Sequence, residues 1–374
     1  WLVPQSHGAA YYNKPPLFNW LLAVFFTLFG SFEEWVVRLP SLLAFVGTAV
    51  LNFFVVRRFI NREVALLSSL FYLTAADILY YGAVNAGEID LFFALLVYGQ
   101  IIAIFAFREK KQWVWLFAIS YLLAACGFLT KGVPSLAFQV LTVLAVFGYH
   151  RAWKRLLSWS HLLGIVVFAA VVFPYFWYYN QQEDAVGFLI NLVNEASQKS
   201  ATESAVGAIV LHLLEFPLNL LKLAMPWVLL GYYLFRKDIF SQLHSNRLVL
   251  FSTIFILANI WLYWISPGTR NPYLYPFFPF LFIVLAFYYQ QFSNIRIERL
   301  YQVAVGLAVI RLLYTAFVMP VQQERLPYRQ LAETLLAKAE GEPIYYTGDW
   351  YVVKTEPQLA AGLTLWQDTL RTPP

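Results

Sequence analysis

Long apolar runs separated by short polar segments occupy most of the chain. The runs are roughly 17 to 20 residues long, and a helix of that length, rising about 1.5 Å per residue, can cross the ~30 Å hydrocarbon core of a membrane. The pattern predicts an all-α, multi-spanning membrane protein with about ten spans. We place them at about residues 41–59, 64–82, 89–108, 113–129, 133–149, 162–180, 218–236, 247–266, 273–292 and 301–320.

Basic residues divide the connecting loops into two alternating classes. Clusters of Arg and Lys follow every second predicted span, and the intervening loops lack such clusters. Because cytoplasmic loops are enriched in these residues, we assign the basic loops to the cytoplasm and the long 181–217 loop to the opposite side. The basic clusters are Arg57, Arg58 and Arg62; Arg108, Lys110 and Lys111; Arg151, Lys154 and Arg155; Arg236, Lys237 and Arg247; and Arg296 and Arg299.

The apolar segment 17–31 is too short to be a span. Its ~15 residues would extend only about 22 Å as a helix. Pro15 and Pro16 suit the first turn of a helix, where their missing N–H groups would have no partner. We therefore predict a helix that lies at the outer interface, with Lys14 at its start.

The pattern of hydrophobic and polar residues changes after Pro320. The stretch "YRQLAETLLAKAEG" predicts an amphipathic helix that ends at Gly341, and "PIYYTG" predicts a short strand. We divide the chain into a transmembrane domain, residues 1–320, and the start of a small extracytoplasmic α/β domain, residues 321–374.

Composition narrows the possible classes. The 374 residues are 60% hydrophobic and 13% charged, whereas soluble domains carry about 25% charged residues. The net charge of +5 arises in loops and does not indicate nucleic-acid binding. The single cysteine, Cys126, excludes a disulfide framework or a cysteine cluster for a metal. Because the sequence begins with Trp1 and shows no signal sequence, we interpret the chain as a fragment whose N-terminus is missing.

Five ionisable residues lie where apolar spans meet the predicted outer face. Such groups are costly at membrane depth and therefore mark candidate sites. Cations at this face could bind a lipid phosphate, and carboxylates there could orient a second substrate. Structural roles remain open for each: snorkelling, the favourable start of a helix, a tie to a helix end, or simple solvation. The five are Lys14, Glu88, Asp90, Lys131 and Arg270. For Arg311, in mid-span, we expect a buried partner such as Asp77.

A set of motifs runs in order over residues 1–290. "YYNKPPLFNW" is followed by "RLPSLLAFVGTA", "NAGEIDLFFAL", "GFLTKGVPSL", "MPWVLL" and "RNPYLYPFFP". This set resembles the bacterial GT-C glycosyltransferases, and more narrowly the aminoarabinose lipid A transferase and dolichyl-phosphate-mannose-protein mannosyltransferase-like family. The resemblance implies the GT-C fold and inverting transfer of a sugar from a polyprenyl-phosphate donor on the periplasmic face of the bacterial inner membrane.

The resemblance also implies roles for individual residues. The general base of the family is an aspartate in the first outer loop, which we expect upstream of Trp1, so no catalytic residue is assigned within the chain. The residues implied to contact the donor phosphate are Lys14, Arg270 and Tyr273, and those implied to line the active site are Tyr12, Asn13, Glu88, Asp90 and Lys131.

Partners follow from the same resemblance. The donor is a polyprenyl-phosphate sugar, and the acceptor is a glycolipid such as lipid A or a protein. No metal or other cofactor is predicted, because the leaving lipid phosphate needs no nucleotide-bound metal. A transporter or flippase of an anionic lipid-linked substrate is the alternative from another class, although its charged residues would lie at the membrane midplane.

Overall fold

The computed structural model describes residues 2–6, 9–80, 87–198, 206–232, 243–292, 296–318, 321, 328–340, 344–345 and 370–371. Within these ranges the chain is almost entirely helical. The helices are α1 (Leu17–Phe29), α2 (Glu34–Phe59), α3 (Arg62–Leu73), α4 (Ala76–Tyr80), α5 (Ile89–Glu109), α6 (Trp113–Lys131), α7 (Val133–Tyr149), α8 (Trp159–Tyr179), α9 (Ala185–Gln198), α10 (Val206–Leu223), α11 (Trp227–Tyr232), α12 (Arg247–Asn259), α13 (Trp261–Trp264), α14 (Phe278–Phe292), α15 (Ile297–Leu313) and α16 (Tyr328–Ala339).

Shorter turns and strands complete the described chain. Tight 3₁₀ turns cover Trp153–Leu157, Leu243–Ser245 and Asn271–Phe277, and a π turn covers Tyr314–Val318. Gln5–Ser6 pairs antiparallel with Ala9–Ala10, and Ile344–Tyr345 pairs parallel with Leu370–Arg371. The 321–374 region is described only in part, so its assignment as a separate domain stays a prediction.

Seven helical segments of the described chain are long and apolar enough to cross a membrane. They are Glu34–Phe59, Ile89–Glu109, Trp113–Lys131, Trp159–Tyr179, Arg247–Trp264, Asn271–Gln291 and Ile297–Val318. This result confirms the predicted all-α multi-spanning class. Helix α1 has 13 residues, about 20 Å, which agrees with the prediction that it does not span.

Two predicted spans, 64–82 and 218–236, are not single helices. The first breaks between α3 and α4, and the second breaks between α10 and α11, where Pro226 cannot donate a backbone hydrogen bond. The breaks satisfy each other: Trp227 Nε1 donates to Thr74 Oγ1 at 3.0 Å, and the N–H of Ala76 donates to the carbonyl of Met225 at 2.9 Å. Irregular backbone is tolerated at membrane depth when protein buries it.

The expected partner of Arg311 was wrong. Asp77 accepts hydrogen bonds from Tyr275 Oη at 2.9 Å and from Asn271 Nδ2 at 3.3 Å. The Arg311 guanidinium instead lies 5.5 Å from the ring centroid of Tyr314, three residues further along.

Buried polar side chains connect the central helices. Asn52 of α2 donates to Ser68 and Ser69 of α3 at 2.8 and 3.1 Å, and Tyr98 of α5 donates to Asn52 at 2.9 Å. A second chain of bonds links Gln100 of α5 to α7 and α6 through Gln139 and Ser120. Hydrogen bonds of this kind hold membrane helices together where the hydrophobic effect does not. They make α5 the centre of the bundle.

The alternation of basic loops predicts that the turn between α8 and α9 is extracytoplasmic. In a Cys126→Ser background, we expect a membrane-impermeant maleimide to label Gln182→Cys in intact cells. Lys110→Cys, in the turn between α5 and α6, should react only after permeabilisation. Both positions are exposed, so only the membrane would separate them. Labelling in the reverse order would invert the proposed topology.

Candidate active site

Four of the residues singled out from the sequence line one cavity of about 180 Å³: Asn13, Lys14, Lys131 and Tyr273. The cavity lies between the segment before α1, the α6–α7 turn, α9 and the chain leading into α14. Its other lining residues are Val133, Pro134, Ala137, Leu192, Glu195, Leu262, Tyr263, Ser266 and Thr269. Lys14 and Lys131 therefore place two cations in a cavity whose wall is largely apolar.

Contacts on both sides fix the position of Lys14. Before it, Tyr12 Oη donates to Glu183 at 3.0 Å, and the Tyr12 carbonyl accepts from Asn191 Nδ2 at 3.0 Å. After it, buried Pro15 and Pro16 start α1, and the Pro16 carbonyl accepts from the N–H of Trp20. Lys14 forms no hydrogen bond or ion pair with another residue that the structure describes. Its ammonium group is therefore available to an anion.

Lys131 occupies the last turn of α6 and is held from three directions. Its Nζ forms an ion pair with Asp90 in the first turn of α5, and the two side chains are only 9% and 10% exposed. The same Nζ lies 4.1 Å from the ring centroid of Tyr273 and 5.3 Å from that of Phe93, distances typical of cation–π contacts. Asp90, which the resemblance placed in the active site, thus contacts the cavity through Lys131.

Gly132 makes the turn that puts Lys131 in this position. Its φ of +77° belongs to the left-handed region that L side chains rarely adopt. A Cβ there would also approach Leu192 of α9 within 3.4 Å. The glycine therefore allows α6 to end, α7 to begin and α9 to pack over the junction.

Glu88 lies directly before α5, and its carbonyl accepts from Ser41 Oγ at 2.7 Å. Burial and the neighbouring Asp90 raise the pKa of the Glu88 carboxyl, whereas Lys131 and Lys14 lower it. One carboxylate oxygen, Oε2, is buried and has no partner among the described residues. The net effect is a pKa above the usual value for this carboxyl, with burial as the largest cause.

The structure does not bring all the predicted site residues together. Arg270 is exposed, and it precedes the 3₁₀ turn that carries Tyr273. The Tyr12 side chain points to Glu183 and Phe188, with its ring centroid 6.0 Å from that of Phe188. Neither residue lines the cavity, nor do Glu88 and Asp90. The roles of all these residues in catalysis remain predictions.

Sequence reasoning missed the contribution of α9. This helix places Leu192 and Glu195 in the cavity wall, and Glu195 is an acid opposite the two lysines. The available signal was the amphipathic stretch "AVGFLINLVNEASQ" inside the outer loop. In the ranges that the structure describes, no group of three or more His, Cys, Asp or Glu side chains is placed to hold a metal ion.

Comparisons with known proteins agree with the motifs. Residues 13–178 match the family described as dolichyl-phosphate-mannose-protein mannosyltransferase. An undecaprenyl phosphate-alpha-4-amino-4-deoxy-L-arabinose arabinosyl transferase of Edwardsiella ictaluri is 31% identical over 47% of this chain and 32% of its own length. The same-named protein of Erwinia tasmaniensis is 26% identical over 76% of this chain and 51% of its own length. The predicted family resemblance is confirmed. The similarity is to the GT-C aminoarabinose transferase-like family.

The fold is likewise that of a solved GT-C protein. The crystal structure of ArnT from Cupriavidus metallidurans, bound to undecaprenyl phosphate, superposes with a TM-score of 0.70 at 18% identity. The alignment covers 100% of this chain and 78% of that one. The chain spans about a third to a half of the length of the curated relatives it matches.

The Lys131–Asp90 pair predicts a distinctive stability pattern. Asp90→Leu or Lys131→Met breaks the buried ion pair and leaves the other charge without it, so we expect each to lower the free energy of unfolding by about 3–5 kcal/mol. The double variant buries no unpaired charge and should recover most of that loss.

Thermal unfolding in detergent measures these losses for the unsubstituted protein, the two single variants and the double variant. Arg38→Ala, which opens an exposed pair with Glu34, should shift the transition very little. Additive losses in the double variant would show that the pair is not the unit of stability.

Proposed function

We propose that the protein is an inverting glycosyltransferase that moves a sugar from a polyprenyl-phosphate donor to an acceptor on the periplasmic face of the inner membrane. The observation that carries the proposal is the cavity that Lys14 and Lys131 line together with apolar residues. Its cations suit a phosphate, and its apolar residues suit a prenyl chain. The names of the relatives support an aminoarabinose, a pentose, as the sugar. The acceptor class, a lipid A-like glycolipid or a protein, rests on the motif resemblance alone.

Charge develops on the donor phosphate as the reaction proceeds. The bond between the anomeric carbon and the phosphate oxygen breaks, and its electron pair stays on the phosphate. An ammonium group fixed beside that oxygen stabilises the transition state more than the ground state, because the negative charge grows during transfer. Lys14 is the principal candidate for this contact, since it has no ion-pair partner among the described residues.

Lys131 contributes in a different way. Asp90 and the Tyr273 ring fix its ammonium group before a ligand arrives, so little reorganisation is needed. The acceptor oxygen attacks the anomeric carbon from the face opposite the phosphate, which gives inversion. Its proton passes to a general base. Asp90 has a positioning role, because its carboxylate already holds Lys131.

Substitution of Lys14 tests the proposal. We expect Lys14→Ala to lower transfer from undecaprenyl-phosphate aminoarabinose by about 10²–10³-fold, the usual effect of losing one donor to developing charge. The assay follows labelled sugar into the acceptor fraction in detergent. Arg38→Ala, in an exposed pair with Glu34, is the matched control and should keep normal turnover. Full activity of folded Lys14→Ala protein would exclude the phosphate contact. Movement of intact donor across vesicles without transfer would favour a flippase.

Arg270 allows a graded comparison. Because its side chain is exposed, solvent screens any contact with phosphate, and we expect Arg270→Ala to lower transfer at most about fivefold. A loss as large as that of Lys14→Ala would show that Arg270 enters the cavity when the donor binds.

A further inference from the structure

A second cavity, of about 390 Å³, lies at the opposite ends of the same central helices. Four elements meet there: the end of α5, the start of α6, the end of α7 and the start of α12. Its lining residues are Arg108, Glu109, Lys111, Trp113, Val146, Phe147, His150, Ala152, Arg247, Leu250, Phe251 and Ile254. Asp90 and Arg108 lie at the two ends of α5, so roughly 27 Å of helix separates this cavity from the candidate active site.

Basic side chains from α5, α12 and the turn between α5 and α6 converge on the cavity. Glu109 accepts from Arg108 and from Arg247, each at 2.8 Å, and holds both guanidinium groups at its mouth. Lys111 is exposed and forms no ion pair with a residue in the described ranges. Three cations and one carboxylate leave a net positive charge for an anion.

His150 adds a donor without adding a full charge. Burial and the nearby Arg108 lower the pKa of its imidazole, while Glu109 raises it. A lowered pKa favours the neutral ring, which keeps one N–H. Such a group can donate to a phosphate oxygen alongside the cations.

The rest of the wall is apolar. Trp113, Val146, Phe147, Leu250, Phe251 and Ile254 supply it from three helices. The Arg155 guanidinium lies 4.5 Å from the Trp113 ring centroid and extends the positive charge past this wall. Further along α7 and α12, Leu144 and Leu257 are exposed apolar residues, as expected of helices that face lipid. A small soluble anion would gain nothing from the apolar part.

We infer that this cavity binds an anionic phospholipid, with the phosphate among Arg108, Lys111 and His150 and an acyl chain along the half-buried Trp113, Leu250 and Ile254. The basic loops assign this end of the bundle to the cytoplasm, and the cytoplasmic leaflet is rich in anionic lipid. Basic cavities between membrane helices on that side suit such head groups. The site is separate from donor binding and requires no part of the proposed transfer reaction.

Two neighbouring lysines provide a matched test. Lys111 lines the cavity, whereas Lys110 does not and lies 5.8 Å from the Phe107 ring centroid. Native mass spectrometry of the purified protein in detergent would give the dissociation constant for the first bound dioleoylphosphatidylglycerol. We expect Lys111→Gln to weaken binding about fivefold and Lys110→Gln to leave it unchanged, because only one of the charges faces the phosphate. Matching thermal unfolding would confirm that both variants are folded.

Two further probes separate the possible ligands. Dioleoylphosphatidylcholine, with the same chains and no net charge, should bind much more weakly. Glycerol 3-phosphate, with no acyl chain, should not compete at millimolar concentration. Equal losses in both lysine variants would reduce the effect to diffuse attraction, and would overturn the inference. Equal binding of phosphatidylcholine, or competition by glycerol 3-phosphate, would overturn it as well.

Discussion

The buried ion pair of Lys131 and Asp90 is the constraint on which the arrangement of the candidate site depends. Removing two charges from water costs several kcal/mol each, so the pair persists only where geometry and packing compensate for that loss. Here the start of α5, the end of α6 and the Tyr273 turn meet on one ammonium group. A shift of α5 or α6 would separate the two charges, and a shift of the Tyr273 turn would remove the contact between its ring and the ammonium group. The pair therefore couples the packing of the helices to the shape of the cavity.

Much of the cavity could be predicted from the chain. The alternation of basic loops placed Lys14, Lys131 and Tyr273 on one side of the membrane, and the structure brings them to one cavity. Hydropathy and loop charge contain this information because the membrane imposes both. They do not report which residues on that side touch. Arg270 stays exposed, and the Tyr12 side chain binds Glu183 instead.

The two broken spans show that hydropathy does not predict whether an apolar run forms one continuous helix. A run of apolar residues gives the same signal whether its backbone is one helix or two. Whether a break is tolerated depends on partners for the freed N–H and C=O groups, and these come from distant parts of the chain. The N–H of Ala76 donates to the carbonyl of Met225. The side chains of Trp227 and Thr74 form a further hydrogen bond between the two breaks. The same reasoning explains why α9 was missed, since its contribution depends on packing over Gly132.

The two cavities have the same arrangement of charges. In each, a carboxylate holds a cation of the wall: Asp90 holds Lys131, and Glu109 holds Arg108 and Arg247. In each, a second lysine, Lys14 or Lys111, has no ion-pair partner in the described part of the chain. The paired cations are fixed without a ligand, so the fold remains stable when the cavity is empty. The unpaired lysine supplies the excess positive charge, and a partly apolar wall strengthens its attraction for an anion compared with bulk water. A lipid phosphate satisfies both requirements at once, because its charge answers the lysine and its chain covers the apolar wall.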